Sequence, residues 1–257
     1  MTGIEEVAIR IARRAAVEIR TTARRRYRVS RKSGLGDLLT EADIRAESVI
    51  TDLLGKMRPG DAILAEESGY QPGHTGVTWV VDPLDGTANF VRASPHYAVS
   101  VAALSDSGCL AAAIVRPADG QWMALRDGAL DGDVRHCLPA VDTGARVAVA
   151  LPYGAAELVE ARAILRLVGQ RYVVERTGSA ACDLLRVVTG SVDAHISVAL
   201  PWWDTAAGHG LVQSSGRIVM HRRSARRTRI DVSGRPEVVR SLVQLLAEHS
   251  HVSEGMA

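Results

Sequence analysis

Trp79-Val80-Val81-Asp82-Pro83-Leu84-Asp85-Gly86-Thr87-Ala88-Asn89-Phe90 is the stretch from which the rest of the chain can be read. Thr78 to Val81 predict a buried strand with Asp82 at its C-terminal end. Pro83 has no amide proton to give a neighbouring strand, so the ladder is expected to stop there. Asp85 supplies a second carboxylate three residues later, beside Gly86. Hard divalent cations take oxygen ligands, often one or two carboxylates together with substrate phosphate, so Asp82 and Asp85 suit magnesium better than zinc. If Gly86 and Thr87 open a helix, their amides face a phosphate oxygen. Alone, Asp85-Gly86 after a proline is a common turn; its companions elsewhere in the chain reverse that reading.

Toward the N-terminus, Ala65-Glu66-Glu67-Ser68-Gly69 closes a β-like run at 62–65. Toward the C-terminus, Trp202-Trp203-Asp204-Thr205-Ala206-Ala207-Gly208 places an acid at a predicted helix start, followed by small residues that permit close packing. Glu66, Asp82, Asp85 and Asp204 thus stand at the ends of three elements. Four acids are about what a two-metal site needs to clamp the attacking and leaving oxygens of a phosphate monoester.

The remaining pattern supplies the scaffold. Ile4, Val7, Ile11, Ala15 and Ile19 recur at helical spacing and predict an amphipathic helix from Ile4 to about Tyr27. A loop follows to Leu39. Thr40 reads as the N-cap of a second helix carrying Ile44, Val49, Ile50, Leu53 and Leu54, which stops before Pro59-Gly60. Runs at 62–65, 78–82, 97–104, 110–115 and 121–125 predict a largely antiparallel sheet. From Arg146 the pattern alternates: strand 146–151, helix 154–169, strand 171–175, helix 179–189, strand 192–198, helix 204–215, then short strands and a helix from Pro236 to His249. The fold class is therefore α+β, with an N-terminal half at 1–145 and a C-terminal half at 146–257 packed as one compact unit.

With 257 residues and 47% hydrophobic content the chain can bury a sizeable core. Its net charge of +2 exerts no strong pull toward nucleic acid or membrane, and arginine runs at 24–26 and 222–229 are expected to be solvated faces. Cys109, Cys137 and Cys182 form no CxxC pair, which fits buried apolar fillers in a reducing compartment; cytoplasmic is the expectation. No stretch approaches a membrane span. The eight histidines show no HxxxH or HxH spacing and are assigned to surface or satisfied core. Trp202 and Trp203 are assigned to the core.

Ala65-Glu66-Glu67-Ser68, Asp82-Pro83-Leu84-Asp85-Gly86-Thr87-Ala88-Asn89-Phe90 and Trp203-Asp204-Thr205-Ala206-Ala207-Gly208 together resemble the motifs of the inositol monophosphatase-like family of magnesium-dependent, lithium-sensitive phosphatases. The match extends to Asp37-Leu38-Leu39-Thr40-Glu41-Ala42-Asp43 and to Gly178-Ser179-Ala180, in the family's order and over most of the chain. The resemblance implies a layered αβαβα sandwich, a homodimer, and release of inorganic phosphate from a small phosphorylated metabolite by water activated at two or three Mg²⁺ ions. It implies that Glu66, Asp82 and the Leu84 carbonyl hold one ion, that Asp82, Asp85 and Asp204 hold a second, and that Glu66 shares a third. Thr87 with Asp43 would orient and help deprotonate the water, with Glu66 counted among the catalytic groups. Asp85, Gly86, Thr87, Ser179, Ala180 and Ser197 would contact substrate.

Asp43 has a second reading as a first-turn acid three residues after the Thr40 cap, and both readings can hold together. Glu67 is read as solvent-facing or as making a structural hydrogen bond. Lys32 lies one residue out of the family's spacing to Asp37. Inositol-hydrolysing members carry a glutamate where this chain has Ser197, seven residues before Asp204. A short hydroxyl cannot accept two ring-hydroxyl hydrogen bonds as a carboxylate does, so another leaving group is open, with His195 or Arg176 to meet it. The leaving groups left open are those of inositol phosphate, histidinol phosphate, and sugar or nucleoside phosphates. The alternative is a catalytically weak phosphatase-like protein that binds RNA or a protein partner through its arginines; with no metal acid lost, nucleic acid is the lesser expectation.

Overall fold

The computed structural model describes residues 3–32, 37–134, 144–224 and 226–252. Cys137 lies outside them. The chain begins with α1 (Ile4–Ala23), passes through a ribbon of β1 (Val29–Arg31) and β2 (Leu38–Thr40), and enters α2 (Glu41–Met57). There follow β3 (Ala62–Ala65), β4 (Gly69–Gln71), β5 (Thr78–Asp85), the short α3 (Thr87–Val91), β6 (Ala98–Ser105), β7 (Gly108–Val115), β8 (Trp122–Arg126) and β9 (Ala129–Gly132). The second part is β10 (Arg146–Ala150), α4 (Ala155–Val168), β11 (Val173–Glu175), α5 (Ala180–Thr189), β12 (Ala194–Val198), α6 (Trp202–Ser214), β13 (Ile218–Arg223), β14 (Arg229–Gly234) and α7 (Pro236–Val252).

Two sheets result. The first runs β4-β3-β5-β6-β7-β8-β9 and is antiparallel except where β3 meets β5. The second runs β11-β10-β12-β14-β13, with β11, β10 and β12 parallel and the remaining pairs antiparallel. Alternation along a strand explains why β5 reads as a continuous apolar run. Trp79 and Val81 face α1 and α2, while Val80 faces α5 and α6, so neither face meets water. The second sheet turns Val147, Ile196 and Val232 toward α4 and α7. The order of layers is α1/α2, first sheet, α5/α6, second sheet, α4/α7: an αβαβα sandwich, as expected.

Several boundaries differ from the sequence reading, each for a local reason. α1 stops at Ala23, before the arginine run that would have extended it. The expected loop before Thr40 contains the β1–β2 ribbon, whose first strand is exposed throughout and whose second is half-buried until Thr40, so neither carries an alternation signal. β4 and β9 are short edge strands without a buried face. Above all, β5 does not stop at Pro83. It continues to Asp85 through a register shift between Asp82 and Asp85, and a bulge is where a strand can hold a residue with no amide to donate.

Trp79 anchors the strand. It is fully buried, and its Nε1 donates to Asp61 Oδ2 at 2.9 Å; Asp61 is held in turn by Arg58 and Thr75. Truncation of such a side chain costs about 3–5 kcal/mol. Trp203 packs against the inner cluster as expected, but Trp202 is 47% exposed, and its ring lies over the Arg229 guanidinium at 4.7 Å. Two histidines also depart from expectation. His195 and His209 are buried with no hydrogen-bond partner at any ring nitrogen, and burial pushes their pKa values down to about 3 and about 4.

Candidate active site

The cavity lies where the two sheets and the inner helix layer meet. It encloses about 410 Å³ and is lined by Glu66, Asp82, Leu84, Asp85, Gly86, Thr87, Ser179, Ala180 and Asp204, among others. Glu66 stands one residue beyond β3, Asp82 and Asp85 flank the bulge of β5, and Asp204 occupies the first turn of α6. The parallel pairing of β3 with β5 puts Ala65 opposite Val81, which brings Glu66 beside Asp82.

Burial concentrates the charge of these acids. Asp82 is 2% exposed; burial first, and then the charges of Glu66, Asp85 and Asp204, hold its carboxyl well above the ordinary aspartate range. Burial and the same neighbours raise Asp204. Asp85 is pushed up to about 7 by burial, against hydrogen bonds to its Oδ2 from Ser179 Oγ and Ala181 N, both at 2.6 Å. Oxygen donors alone, with negative charge that the protein only partly neutralises, are the donor set that Mg²⁺ fits. Among the described residues no three of these carboxylates bring ligand atoms within 4.8 Å of one another. They ring the cavity, which suits ions that keep several waters and take one or two carboxylates each.

Asp43 lies just outside the lining and serves two purposes. Its Oδ2 accepts the Thr40 amide at 2.8 Å and completes a capping box at the start of α2, while its Oδ1 accepts the Thr87 hydroxyl at 2.9 Å. Thr87 Oγ1 is also 3.0 Å from the Leu84 carbonyl. Burial lifts the Asp43 carboxyl to about 6 despite the hydrogen bonds from Thr40 and Thr87.

Gly86 makes the turn between the acids and α3. Its φ of +91° lies in the left-handed region, and a Cβ there would stand 2.8 Å from the His96 carbonyl oxygen and 3.1 Å from Ser179 Cβ. Asn89 Nδ2 donates to the carbonyls of His96 and Thr177 at 2.6 and 3.0 Å, tying α3 to the segment that leads into α5. Ser179 caps α5 by accepting the Cys182 amide.

Two supporting groups stand out. Lys32 Nζ is 2.7 Å from Glu66 Oε1 and bonds Glu67 as well; burial alone would lower its pKa, but the two carboxylates outweigh that and raise it. Glu47, buried on α2, accepts the amides of Glu67 and Ser68 at 2.9 and 2.7 Å and so fixes the turn that presents Glu66. Sequence reasoning passed over Glu47. The available signal was an acid four residues after Asp43, on the helix face that also buries Ala46 and Ile50.

The far wall differs from expectation. Ser197 is not part of the lining; it is buried in β12, where its hydroxyl donates to Asp231 Oδ2 at 3.2 Å. His195 is also outside the lining. Tyr153, Leu158, Arg162, Leu165 and Arg176 form that wall instead.

Residues 1–252 match the Inositol monophosphatase family. The chain belongs to that family. It is 33% identical over 254 residues to the Nus factor SuhB of Salmonella typhimurium, spanning 92% of this chain and 93% of the relative. It is 36% identical over 197 residues to an inositol-1-monophosphatase of Caulobacter vibrioides, spanning 72% of this chain and 76% of that one. Among solved structures it is similar to the extragenic suppressor protein suhB of Bartonella henselae, with a TM-score of 0.82 at 27% identity over 93% of this chain and 96% of that chain. Phosphatase chemistry dependent on a divalent metal is the family's general property. Among the described residues no helix is long and apolar enough to cross a membrane.

Proposed function

We propose that this chain hydrolyses a small phosphate monoester with the help of Mg²⁺, as a cytoplasmic homodimer. The observation that carries the reading is the ring of Glu66, Asp82, Asp85 and Asp204 around one cavity, with the Thr87–Asp43 pair at its edge. Glu66, Asp82 and the Leu84 carbonyl would hold one ion and Asp82, Asp85 and Asp204 another, with Glu66 shared by a third. When bound, the ions supply charge for the phosphate oxygens and lower the pKa of water.

The chain's own groups do the rest. Gly86 and Thr87 offer amides to the phosphate. Thr87 Oγ1 holds the attacking water in line; as the water gives up a proton to Oγ1, the hydroxyl's own proton passes to Asp43 Oδ1, a base whose pKa near neutrality suits the task. As the water oxygen bonds to phosphorus, the P–O bond to the leaving group breaks; the leaving oxygen takes a proton from solvent while Asp43 returns the one it accepted to solvent, and inorganic phosphate and an alcohol depart. Arg162, Arg176 and Tyr153 on the far wall select the leaving group, a part that Ser197 in its strand does not reach. If the second ion site is conventional, millimolar Li⁺ inhibits by replacing Mg²⁺ without matching its charge.

The test is phosphate release from a panel of inositol, histidinol, sugar, nucleoside 5′- and nucleotide 3′-phosphates, with magnesium, with EDTA, and with Asp85→Asn. Release that needs both magnesium and Asp85 supports the reading. Silence on every substrate from folded, magnesium-binding protein ends it.

A second reading is assembly with RNA or a protein partner. Arg223, Arg226 and Arg227 are exposed at and beyond the end of β13, and the full-length relative from Salmonella typhimurium is named a Nus factor. Salt-dependent RNA binding that Arg223→Ala with Arg226→Ala weakens supports it, and its absence at low salt removes that partner.

A further inference from the structure

We propose that His209, His221 and Asp231 form a second metal site, separate from the acidic cavity, for a first-row transition ion such as Zn²⁺. The three come from three elements. Their ligand atoms all lie within 4.8 Å of one another, a proximity that no other three His, Cys, Asp or Glu side chains reach among the described residues.

The antiparallel pairing of β12, β14 and β13 builds one side of the site. Ser197 stands opposite Asp231, and Asp231 opposite His221, so three polar side chains form a row across the sheet on the face turned to the inner helices. α6 supplies the third ligand from above. His209 lies five residues after Asp204, about 140° round the helix, so one helix serves the acidic cavity with one side and this row with another.

An ordinary ion pair accounts for only part of the arrangement. His221 Nδ1 and Asp231 Oδ1 are 2.9 Å apart, which satisfies those two. His209 is left over: it is 6% exposed, neither ring nitrogen has a partner, and its ring meets that of His221 edge to face with centroids 5.7 Å apart. A buried imidazole with both nitrogens unpaired is costly, and a metal bond is one of the few ways to relieve it beside a second imidazole and a carboxylate.

Asp231 Oδ2 is held by Arg229 at 3.1 Å and by the Ser197 hydroxyl at 3.2 Å, which leaves Oδ1 to face the site. Trp202 covers the outer side against His221, while His221 itself is exposed and gives the ion a way in. Donors around a tetrahedral Zn²⁺ lie about 3.3 Å apart at bond lengths near 2.0–2.1 Å, so ring rotations of the order of 1 Å close the site. Two imidazoles and one carboxylate select Zn²⁺, Co²⁺ or Ni²⁺ over Mg²⁺, which prefers oxygen alone. The acidic cavity has the opposite preference, so the two sites can be told apart by the ion each takes.

The experiment is a Co²⁺ titration of the full, tag-free chain in excess Mg²⁺, followed by the visible bands that nitrogen ligation makes intense, with Zn²⁺ then added as competitor. One saturable site displaced by Zn²⁺ is expected. His221→Ala, a change at an exposed side chain whose effect on the fold is checked by the melting temperature, should weaken it by at least about tenfold. His209→Leu, which fills the same buried space, should abolish the bands while magnesium binding persists. No saturable band in the wild-type chain, or equal Co²⁺ affinity in His221→Ala, overturns the proposal.

Discussion

Replacing Asp85 by Asn should stabilise the metal-free protein while removing its activity. Asp85 is buried among like charges, and its carboxyl is raised from 3.8 to about 7. A carboxyl whose folded pKa lies above its unfolded one costs nothing below about pH 4, costs progressively more as pH rises, and reaches its full penalty above the folded value. The gap between 3.8 and about 7, at about 1.4 kcal/mol per pH unit, sets that penalty at about 4 kcal/mol. Asparagine carries no charge and keeps an oxygen for Ser179 and Ala181, though as a weaker acceptor, so the gain at pH 8 should be about 3 kcal/mol. Asp82 and Asp204, both raised in part by their neighbours, gain in the same direction. In EDTA at pH 8 the melting temperature should rise by about 6–12 °C, and the gap should narrow by about 2–3 kcal/mol at pH 5, where wild-type Asp85 is protonated in the fold. Saturating Mg²⁺ should reverse the order, because the proposed ligand set is complete only in the wild type. A variant less stable than wild type at pH 8 in EDTA, or a gap that ignores pH, would refute the view that burial, with like charges added to it, makes the ionised acid costly until an ion arrives.

Three further substitutions probe the supports. Thr87→Val should lower kcat by about 10²–10⁴-fold and, by leaving Asp43 Oδ1 without its donor, cost about 1–3 kcal/mol of stability, and unaltered kcat would remove Thr87 from the reaction. Glu47→Gln must set an NH₂ group against one of the two amides that Glu47 now accepts, so urea denaturation should show a loss of about 1–3 kcal/mol and titration a weaker affinity for Mg²⁺. Mg²⁺ affinity equal to wild type would separate Glu47 from the placement of Glu66. Gly86→Ala combines a left-handed φ with a contact inside 3 Å and should cost at least about 1–2 kcal/mol together with most activity; a fully active, equally stable variant would mean that the turn has another conformation open to it.

The order of strands and helices, and the acids that end the apolar runs, are legible in the sequence because runs buried on both faces are hard to mistake; the layering itself is implied only by the resemblance of the motifs to those of the family. What it hid lies where one residue's meaning depends on another element. Pro83 reads as a stop because proline has no donor, yet the bulge that accommodates it is a property of how β5 pairs with β6. Lys32 looks misplaced by one residue, yet its ammonium pairs with Glu66 and Glu67, more than thirty positions away in the chain. Ser197 has the right spacing from Asp204, but strand register turns it to Asp231 instead of the cavity. His209 and His221 are twelve positions apart with a turn between, so no spacing rule could pair them across α6 and β13.

The division of the acids between the first sheet and the inner helix layer has a consequence for synthesis. Glu66, Asp82 and Asp85 belong to the first sheet and its margins, while Asp204 and Ser179 arrive with the inner helices of the second part. On the ribosome, the early acids emerge long before the residues that enclose them. Until α5 and α6 dock, their carboxylates remain in water, where like charges cost little. The electrostatic penalty therefore falls on the last stage of assembly, so magnesium in the cell should favour completion of the fold over its beginning.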